Sequence, residues 1–380
     1  MAHDSFKLDY VPALNGLRGV AILAVMLFHA EILFFNGGFV GVDVFFVLSG
    51  FLITSLLIQE YDCVGFVNLK HFYMRRVLRL GPALVFLLIC FVVVSYLFAN
   101  KEKAANNYVD ALVSLLYFSN WARAFNFHPL DFLGHTWSLS IEEQFYILWP
   151  AVLLGLLRTI KNRWYILFFS VIVASASWVL RVYFTMTDVS VERLYNGLDT
   201  RADALMIGCA LGVLISSRLL NQQTEIRLAK WLSYFSPFFM LCFLSALHFS
   251  EWQNRSMYYI GFVVIEFLAA VFILDVVIKK TSLIGKILAT KGLIWVGSIS
   301  YGLYLWHYPI YRTMLALGFN HLIVIWIGTL VTFIIAACSY YLLEKPILKF
   351  RRFFTCPIPC ADLVRSRISM HSVQIGTVKT

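Results

Sequence analysis

Long apolar segments recur along the whole chain, and they restrict its fold more than any other feature of the sequence. Of the 380 residues, 60% are hydrophobic and only 14% are charged, a composition that excludes a soluble globular domain of this size. A helix needs about 20 mostly apolar residues to cross the hydrocarbon core of a bilayer. Ten segments approach that length, at about 13–31, 39–59, 80–98, 140–157, 164–185, 202–217, 231–248, 258–278, 292–313 and 321–343. The sequence therefore predicts an all-α polytopic membrane protein with about ten transmembrane helices.

The connections between these segments leave no room for a soluble domain. The longest polar stretch, 99–137, is expected to be a loop that contains a short interfacial helix around 108–120. No cleavable signal is expected before the first segment, because the N-terminal residues hold one lysine and no small-residue cleavage site. Residues 351–380 are expected to form a short basic tail.

Positive charge is distributed unevenly among the connections. Most of the 31 lysines and arginines fall in the N-terminus, every second connection and the C-terminus. Cytoplasmic loops carry such an excess, so both termini are predicted to be cytoplasmic. The net charge of +10 then reflects topology and contact with anionic lipid, and nucleic acid is not expected as a partner.

The first apolar segment contains two ionisable residues, Arg18 and His29. Eleven residues make three helical turns plus about 20°, so both side chains share one face, roughly 16 Å apart along the axis. Ionisable residues inside a bilayer are costly and are usually functional. By the predicted topology Arg18 lies at the cytoplasmic end and His29 near the outer end.

An acidic residue, Asp43, lies near the outer end of the second segment, within reach of His29. A carboxylate opposite a histidine fixes its tautomer and stabilises the imidazolium, as in catalytic triads. The alternative is a histidine at the membrane interface, with Asp43 capping its own helix.

Three arginines follow the second segment in "LKHFYMRRVLRLGPAL". Arg75 and Arg76 lie four and three residues before Arg79, so a helix would gather the three guanidiniums on one side. Guanidiniums favour phosphate as a ligand because they are planar and bidentate. Arg18 is expected at the same depth, so the four cations could bind a phosphorylated cytoplasmic ligand. The alternative is the ordinary positive charge of a cytoplasmic loop.

Two carboxylates, Glu142 and Glu143, open the fourth segment within "HTWSLSIEEQFYILWP". The aromatic residues around them suggest a setting for proton transfer. The alternative is an ordinary helix start, where the helix macrodipole stabilises two solvated carboxylates.

Two further stretches place polar residues in apolar segments. Arg201 and Asp203 begin the sixth segment, where an internal ion pair and a substrate role are equally plausible. Tyr304 and His307 lie on one face of the ninth segment, together with Ser300, and could contact the acceptor or belong to an aromatic belt.

Seven motifs, in this order, resemble the acyltransferase-3 family of integral membrane acyltransferases. They are "YVPALNGLRGVAILAVMLFHA", "GGFVGVDVFFVLSGFLIT", "FYMRRVLRLGPAL", "GHTWSLSIEEQFYILWP", "DTRADALMIGCALG", "SYGLYLWHYP" and "SYYLLEKP". The resemblance extends over about residues 10–350, which we take as the transmembrane domain. The R-x10-H motif of the family falls on Arg18 and His29, and its R-x-x-R motif on Arg76 and Arg79.

The resemblance implies a ten-helix core that moves an acyl group, usually acetyl, from cytoplasmic acyl-CoA to a hydroxyl of a sugar, a glycolipid or a related acceptor. It also implies that His29 is essential for transfer and that the arginines hold the donor. Many acceptors in the family lie on the far side of the bacterial inner membrane. Some members carry an additional hydrolase-like domain, which this chain is expected to lack.

The spacing of Arg18 and His29 suits such a donor. The charged nucleotide of coenzyme A would stay at the arginines, while its thin pantetheine arm would follow the first helix toward His29. His29 could then act as a general base, assisted by Asp43 or a glutamate, or could accept the acyl group covalently. No metal and no permanently bound cofactor is expected, with acyl-CoA as a co-substrate.

A proton-coupled transporter is the alternative from another functional class, because buried His, Glu, Asp and Arg also form proton relays. The absence of inverted repeats from the sequence counts against it. The sequence leaves open which acceptor and acyl chain are used, and the oligomeric state.

Overall fold

The structure is a computed structural model that describes residues 10–279 and 282–354. All regular secondary structure in this part of the chain is helical. The first eight helices are α1 Pro12–His29, α2 Gly41–Val64, α3 Leu69–Phe98, α4 Lys101–Leu115, α5 Ser119–Ala124, α6 Thr136–Thr159, α7 Arg163–Met186 and α8 Val191–Asn196. They are followed by α9 Leu198–Ser216, α10 Gln222–Phe249, α11 Met257–Ile278, α12 Leu283–Leu288, α13 Lys291–Ser298, α14 Ser300–Ala316 and α15 His321–Phe354.

Short non-α segments interrupt or join these helices. Two 3₁₀ turns, Leu33–Phe35 and Gly38–Val40, connect α1 to α2. Helix α11 begins with the π-helical turn Met257–Gly261, and α15 contains two more, Val324–Gly328 and Ser339–Glu344, before its 3₁₀ end Lys349–Phe354.

The prediction of an all-α membrane protein is confirmed for the described residues. Seven helices are long and apolar enough to cross a membrane: α1, α2 with its preceding 3₁₀ turn, α3, α7, α10, α11 and α15. Helices α6, α9 and α14 occupy the other three predicted segments but are not among the seven. Ten crossings and cytoplasmic termini therefore stay predictions, and most of the predicted basic tail lies outside the described residues.

The polar stretch 99–137 contains two helices, so the prediction of one helix around 108–120 is wrong. Helix α4 begins earlier, because the Asn100 side chain accepts a hydrogen bond from the Lys103 N–H at 2.8 Å and caps it. It ends before Tyr117, whose φ of 52° is incompatible with a continuing helix. The chain then restarts as α5.

Helices α2 and α9 cross at glycines, with their backbones in contact. A Cβ atom on Gly50 would lie 2.0 Å from the Leu205 carbonyl oxygen, and one on Gly208 would lie 2.1 Å from the Val47 carbonyl oxygen. Small residues let membrane helices approach this closely, since packing rather than hydrophobicity holds them together in lipid. This contact fixes α2, which carries part of the candidate site, in the centre of the bundle.

We expect Gly208→Leu to destabilise the protein, because a side chain there meets a backbone oxygen that cannot rotate away. Overpacking typically costs about 1–3 kcal/mol, and a backbone clash belongs at the upper end of that range or above it. The melting temperature of detergent-purified protein measures the effect.

Gly155→Leu is the matched control, because a Cβ on Gly155 meets no atom within 4 Å. Equal melting temperatures for the two variants would contradict the close approach of α2 and α9.

Candidate active site

Three arginines line a cavity of about 250 Å³ among α1, α2, α3, α6 and α14. Arg18 comes from α1, and Arg76 and Arg79 come from α3. None of the three forms an ion pair within 4.0 Å of a carboxylate in the described part of the chain. We call this space the arginine cavity.

Neutral and aromatic groups hold two of these guanidiniums in place. Arg18 donates from Nη2 to the Ser300 hydroxyl at 3.2 Å, and the guanidinium of Arg76 lies 4.4 Å from the centre of the Tyr146 ring. Contacts of this kind orient a cation without neutralising it. The lining holds three guanidiniums against one carboxylate, Glu142, so positive charge is in excess and the cavity suits an anion. The planar forks of the guanidiniums suit phosphate.

Arg75 does not join this group, so the predicted convergence of four cations is wrong for it. Its Nη2 lies 3.2 Å from Glu60 Oε2, and its Nη1 donates to the Phe354 carbonyl at 2.7 Å. One residue turns an α-helix by 100°, which directs Arg75 toward the end of α2 and the end of α15 while Arg76 faces the cavity.

Glu142 lies in the arginine cavity, where it is bound by hydroxyl groups. It accepts hydrogen bonds from Ser49 Oγ at 2.8 Å and from the Tyr146 hydroxyl at 3.1 Å. Helix α6 begins at Thr136 rather than near residue 140, so Glu142 lies about a turn deeper in the bundle than predicted. Glu143 is not among the residues that line either this cavity or the one around His29. The predicted assistance of His29 by one of these glutamates is therefore not seen.

His29 lies in a second, smaller cavity of about 170 Å³, which we call the histidine cavity. Its Nδ1 is 3.1 Å from Nε2 of His307, and Nδ1 of His307 is 2.9 Å from the Leu303 carbonyl oxygen. His307, which was predicted to contact the acceptor or to belong to an aromatic belt, contacts His29 directly, and its contact with an acceptor stays a prediction.

These two contacts define the tautomers of both rings when they are neutral. A carbonyl oxygen only accepts, so His307 carries its proton on Nδ1, and its Nε2 is an acceptor. His29 must then donate from Nδ1, which leaves its Nε2 with a free lone pair. The arrangement orients His29 as a base or a nucleophile.

Asp43 is paired with Arg201 instead of His29, so its predicted partner is wrong. The two side chains are fully buried and form a hydrogen-bonded ion pair between α2 and α9. Arg201 also lies 3.8 Å from the centre of the Phe262 ring. His307 thus occupies the position beside His29 that was predicted for a carboxylate.

A second buried pair extends this network. Asp203 Oδ2 lies 2.6 Å from Arg181 Nη1, and Glu266 Oε1 lies 4.0 Å from the same nitrogen. Neither Arg201 nor Asp203 lines the arginine or the histidine cavity. Arg201 and Asp203 were predicted either to form ion pairs within the protein or to contact substrate, and the geometry supports the ion pairs.

His135, which sequence reasoning missed, lies beside His29 and His307. It is 2% exposed, and neither of its ring nitrogens has a hydrogen-bond partner in the described part of the chain. Its ring centre is 5.6 Å from that of His307 and 5.0 Å from that of Tyr308. The available signal was its place in "GHTWSLS", immediately before α6 and two residues before the buried Trp137.

Tyr304 separates the two cavities, and it lines both of them together with Val42. Its hydroxyl lies 2.5 Å from Ser138 Oγ and 2.9 Å from the His135 carbonyl oxygen. Because that carbonyl only accepts, Tyr304 donates to it, and Ser138 can donate to Tyr304. The two cavities therefore meet at this hydroxyl pair.

Comparisons with known proteins relate the whole chain to acyltransferases. Residues 11–344 match the acyltransferase domain family. The chain is 37% identical to the peptidoglycan O-acetyltransferase OatA of Listeria monocytogenes, over 90% of this chain and 57% of that protein. It is 36% identical to the O-acetyltransferase OatA of Staphylococcus aureus, over 94% of this chain and 60% of that protein.

The chain thus spans somewhat more than half the length of these curated relatives. No solved structure shows significant similarity to it. The family match covers nearly all of the described residues, including both cavities, and the chain belongs to the acyltransferase family that this domain defines.

Proposed function

We propose that the protein is a membrane O-acetyltransferase that moves an acetyl group from cytoplasmic acetyl-CoA to a hydroxyl of a glycan at the outer face of the membrane. The observation that carries the proposal is the meeting of the arginine and histidine cavities at Tyr304. One cavity suits a phosphorylated donor, and the other holds an oriented imidazole.

The donor site follows from the chemistry of coenzyme A. Its phosphates are multiply charged, so they would stay with Arg18, Arg76 and Arg79 at the predicted cytoplasmic end. Its pantetheine arm is thin and nearly neutral, and can enter the apolar part of the arginine cavity. Arg18 and His29 are about 16 Å apart along α1, a distance that the arm can span.

At the histidine cavity, His29 can act as a general base. Its Nε2 would take the proton of the acceptor hydroxyl while that oxygen attacks the thioester carbonyl carbon. The carbon–sulfur bond then breaks, and the leaving thiolate takes the proton from His29. The His29 Nδ1–H donates to neutral His307 throughout, which stabilises the transient imidazolium.

A covalent route uses the same groups. Nε2 of His29 would attack the thioester carbonyl carbon, and the carbon–sulfur bond would break to give an acetyl-imidazolium and a thiolate. The acceptor oxygen would then attack the acetyl carbon as its bond to Nε2 breaks, and the hydroxyl proton would pass through His29 to the thiolate. Both routes require the lone pair on Nε2, and both leave coenzyme A on the donor side.

A glycan is the acceptor class that the relatives support, because one of them is named a peptidoglycan O-acetyltransferase. For such an acceptor we propose a bacterial plasma membrane as the location of the enzyme, with the histidine cavity facing outward. The domain corresponds to about residues 10–350, and ten membrane crossings with cytoplasmic termini complete the proposed topology.

The buried ion network is the feature that a proton-coupled transporter would use. Its carboxylates Asp43 and Asp203 are paired with arginines and line neither of the two cavities, and Glu266 is likewise outside both. Release of free thiol from acetyl-CoA by the purified protein would separate the two functions, since a transporter releases none.

Replacing His29 by Ala should abolish acetyl transfer and leave acetyl-CoA binding nearly unchanged, because His29 lies outside the arginine cavity. His307→Leu should lower kcat at least tenfold, because His29 loses the acceptor that orients it. His307→Gln retains a carbonyl oxygen that can accept from His29 Nδ1, so it should recover part of that loss.

Radiolabelled acetyl transfer to glycan measures kcat for the three variants, and melting temperatures control for folding. Substantial turnover by well-folded His29→Ala would remove His29 from the chemistry.

Arg79→Ala should weaken binding of acetyl-CoA at least tenfold and affect acetyl-pantetheine much less, because only the former carries the nucleotide phosphates. Arg79→Lys restores the charge but not the bidentate fork, so recovery should be partial. Titration calorimetry with the two thioesters gives the comparison.

Arg75→Ala is the control, since Arg75 is engaged by Glu60 and the Phe354 carbonyl outside the arginine cavity. An equal loss of acetyl-CoA affinity in Arg75→Ala and Arg79→Ala would contradict a phosphate site in that cavity. An equal loss of affinity for acetyl-CoA and acetyl-pantetheine in Arg79→Ala would also contradict it.

Sidedness can be tested with single cysteines at two exposed lysines, in a background that lacks the seven native cysteines. Lys103→Cys, at the start of α4, should react with an impermeant maleimide in intact cells. Lys286→Cys, in α12, should react only after lysis. The inverse pattern would turn the arginine cavity away from the cytoplasmic acetyl-CoA pool and exclude the proposed direction of transfer.

A further inference from the structure

A large groove lies beside the histidine cavity at the same end of the bundle. Its volume is about 980 Å³, and it is formed by the α1–α2 connection, the α10–α11 connection and the start of α15. Its lining includes two carboxylates, Glu31 and Glu251, and we call it the acidic groove.

The acidic groove adjoins the histidine cavity. Phe28 and Trp252 line both spaces and so form the boundary between them. Pockets for ligands of moderate size usually measure about 300–1,000 Å³. The histidine cavity, at about 170 Å³, is below that range and can hold only the reacting part of an acceptor, whereas the groove is large enough for its body.

Trp252 is held firmly at this boundary. Its ring centre lies 5.5 Å from that of Tyr195, which in turn lies 4.6 Å from that of Trp137. Its carbonyl oxygen accepts a hydrogen bond from the Tyr258 hydroxyl at 2.7 Å. A supported indole face at the entrance to a reaction site provides a flat apolar surface at little cost in side-chain entropy.

The polar groups of the groove indicate the charge of its ligand. Besides the two glutamates, the lining contains the amides of Asn36 and Gln253. Its lining residues include neither Arg nor Lys, and the imidazole of His321 lies 3.4 Å from Glu31 Oε2. Carboxylates and amides accept hydrogen bonds from hydroxyls, but carboxylates repel phosphates and uronates.

We propose that the acidic groove binds the glycan acceptor through an uncharged pyranose ring that stacks on Trp252. The apolar C–H face of the ring packs on the indole, its hydroxyls bind the carboxylates and amides, and the reacting hydroxyl extends past Phe28 to His29. This inference rests on the proposed acetyl transfer and adds the acceptor subsite and its chemical class.

Binding is tested on the full chain in lipid nanodiscs without acetyl-CoA, so that the result does not depend on the transfer reaction. The probes are chitotetraose and cellotetraose as neutral pyranose chains, and tetragalacturonate as an anionic chain of the same length. Saturation-transfer NMR and calorimetry should show binding of at least one neutral chain and none of the anionic chain.

Trp252→Ala should weaken binding of the neutral chain at least tenfold, equivalent to about 1.4 kcal/mol. Trp252→Phe should weaken it less, because a smaller aromatic face remains. Trp326→Ala is the matched control, because Trp326 is 77% exposed on α15 and lines neither space. It should bind as the wild type does.

Unchanged binding in Trp252→Ala, equal loss in Trp326→Ala, no binding of either neutral chain, or equal binding of the anionic chain would each overturn the proposal. If Trp252→Ala fails to fold, Trp252→Phe and Glu251→Gln replace it. Both should bind the neutral chain more weakly than the wild type and Trp326→Ala do, and unchanged binding in both would overturn the proposal. Neutral-chain binding that depends on Trp252, without acetylation when acetyl-CoA is added, would instead count against the proposed function alone.

Discussion

The ion pairs Asp43–Arg201 and Asp203–Arg181 hold α2, α7 and α9 together inside an apolar bundle. Charges in a low-dielectric setting are tolerated when they are paired, and removing one partner leaves an uncompensated buried charge. The arginine cavity differs from these pairs. None of its three guanidiniums forms an ion pair with a carboxylate among the described residues, and the one carboxylate in its lining, Glu142, leaves positive charge in excess. That excess is what the proposed donor would neutralise.

His29 is oriented by a second histidine, His307, without a carboxylate. A buried aspartate beside His29 would add a charge that needs compensation, and Asp43 is already engaged by Arg201. Neutral His307 needs no counter-ion, and its own orientation is set by the Leu303 carbonyl of the preceding turn. The hydrogen bonds from His29 to His307 and from His307 to the Leu303 carbonyl therefore leave the lone pair on Nε2 of His29 free at the histidine cavity.

Sequence reasoning located the long apolar helices, missed the local cap at Asn100 that starts α4, and failed where two helices must be matched. Hydrophobic length located the helices, and helical periodicity placed Arg76 and Arg79 on one face of α3. The partner of Asp43 is 158 positions away, so it depends on how α2 and α9 rotate about their glycine contact. The same limitation explains Arg75, whose partner lies on α2, and His135, which meets His307 only after α6 and α14 have packed.

Tyr304 lies between the two cavities, and the hydrogen bonds that fix its hydroxyl also affect what can pass between them. Its hydroxyl is fixed by Ser138 and by the His135 carbonyl, so the partition between the cavities is built from groups at the start of α6 and the middle of α14. In the proposed reaction, a narrow neutral arm would displace these hydrogen bonds to reach His29, whereas a nucleotide would also have to bring its phosphates past them, away from the arginines. The proposed donor would therefore deliver its acetyl group to the histidine cavity while its charged part stayed at Arg18, Arg76 and Arg79.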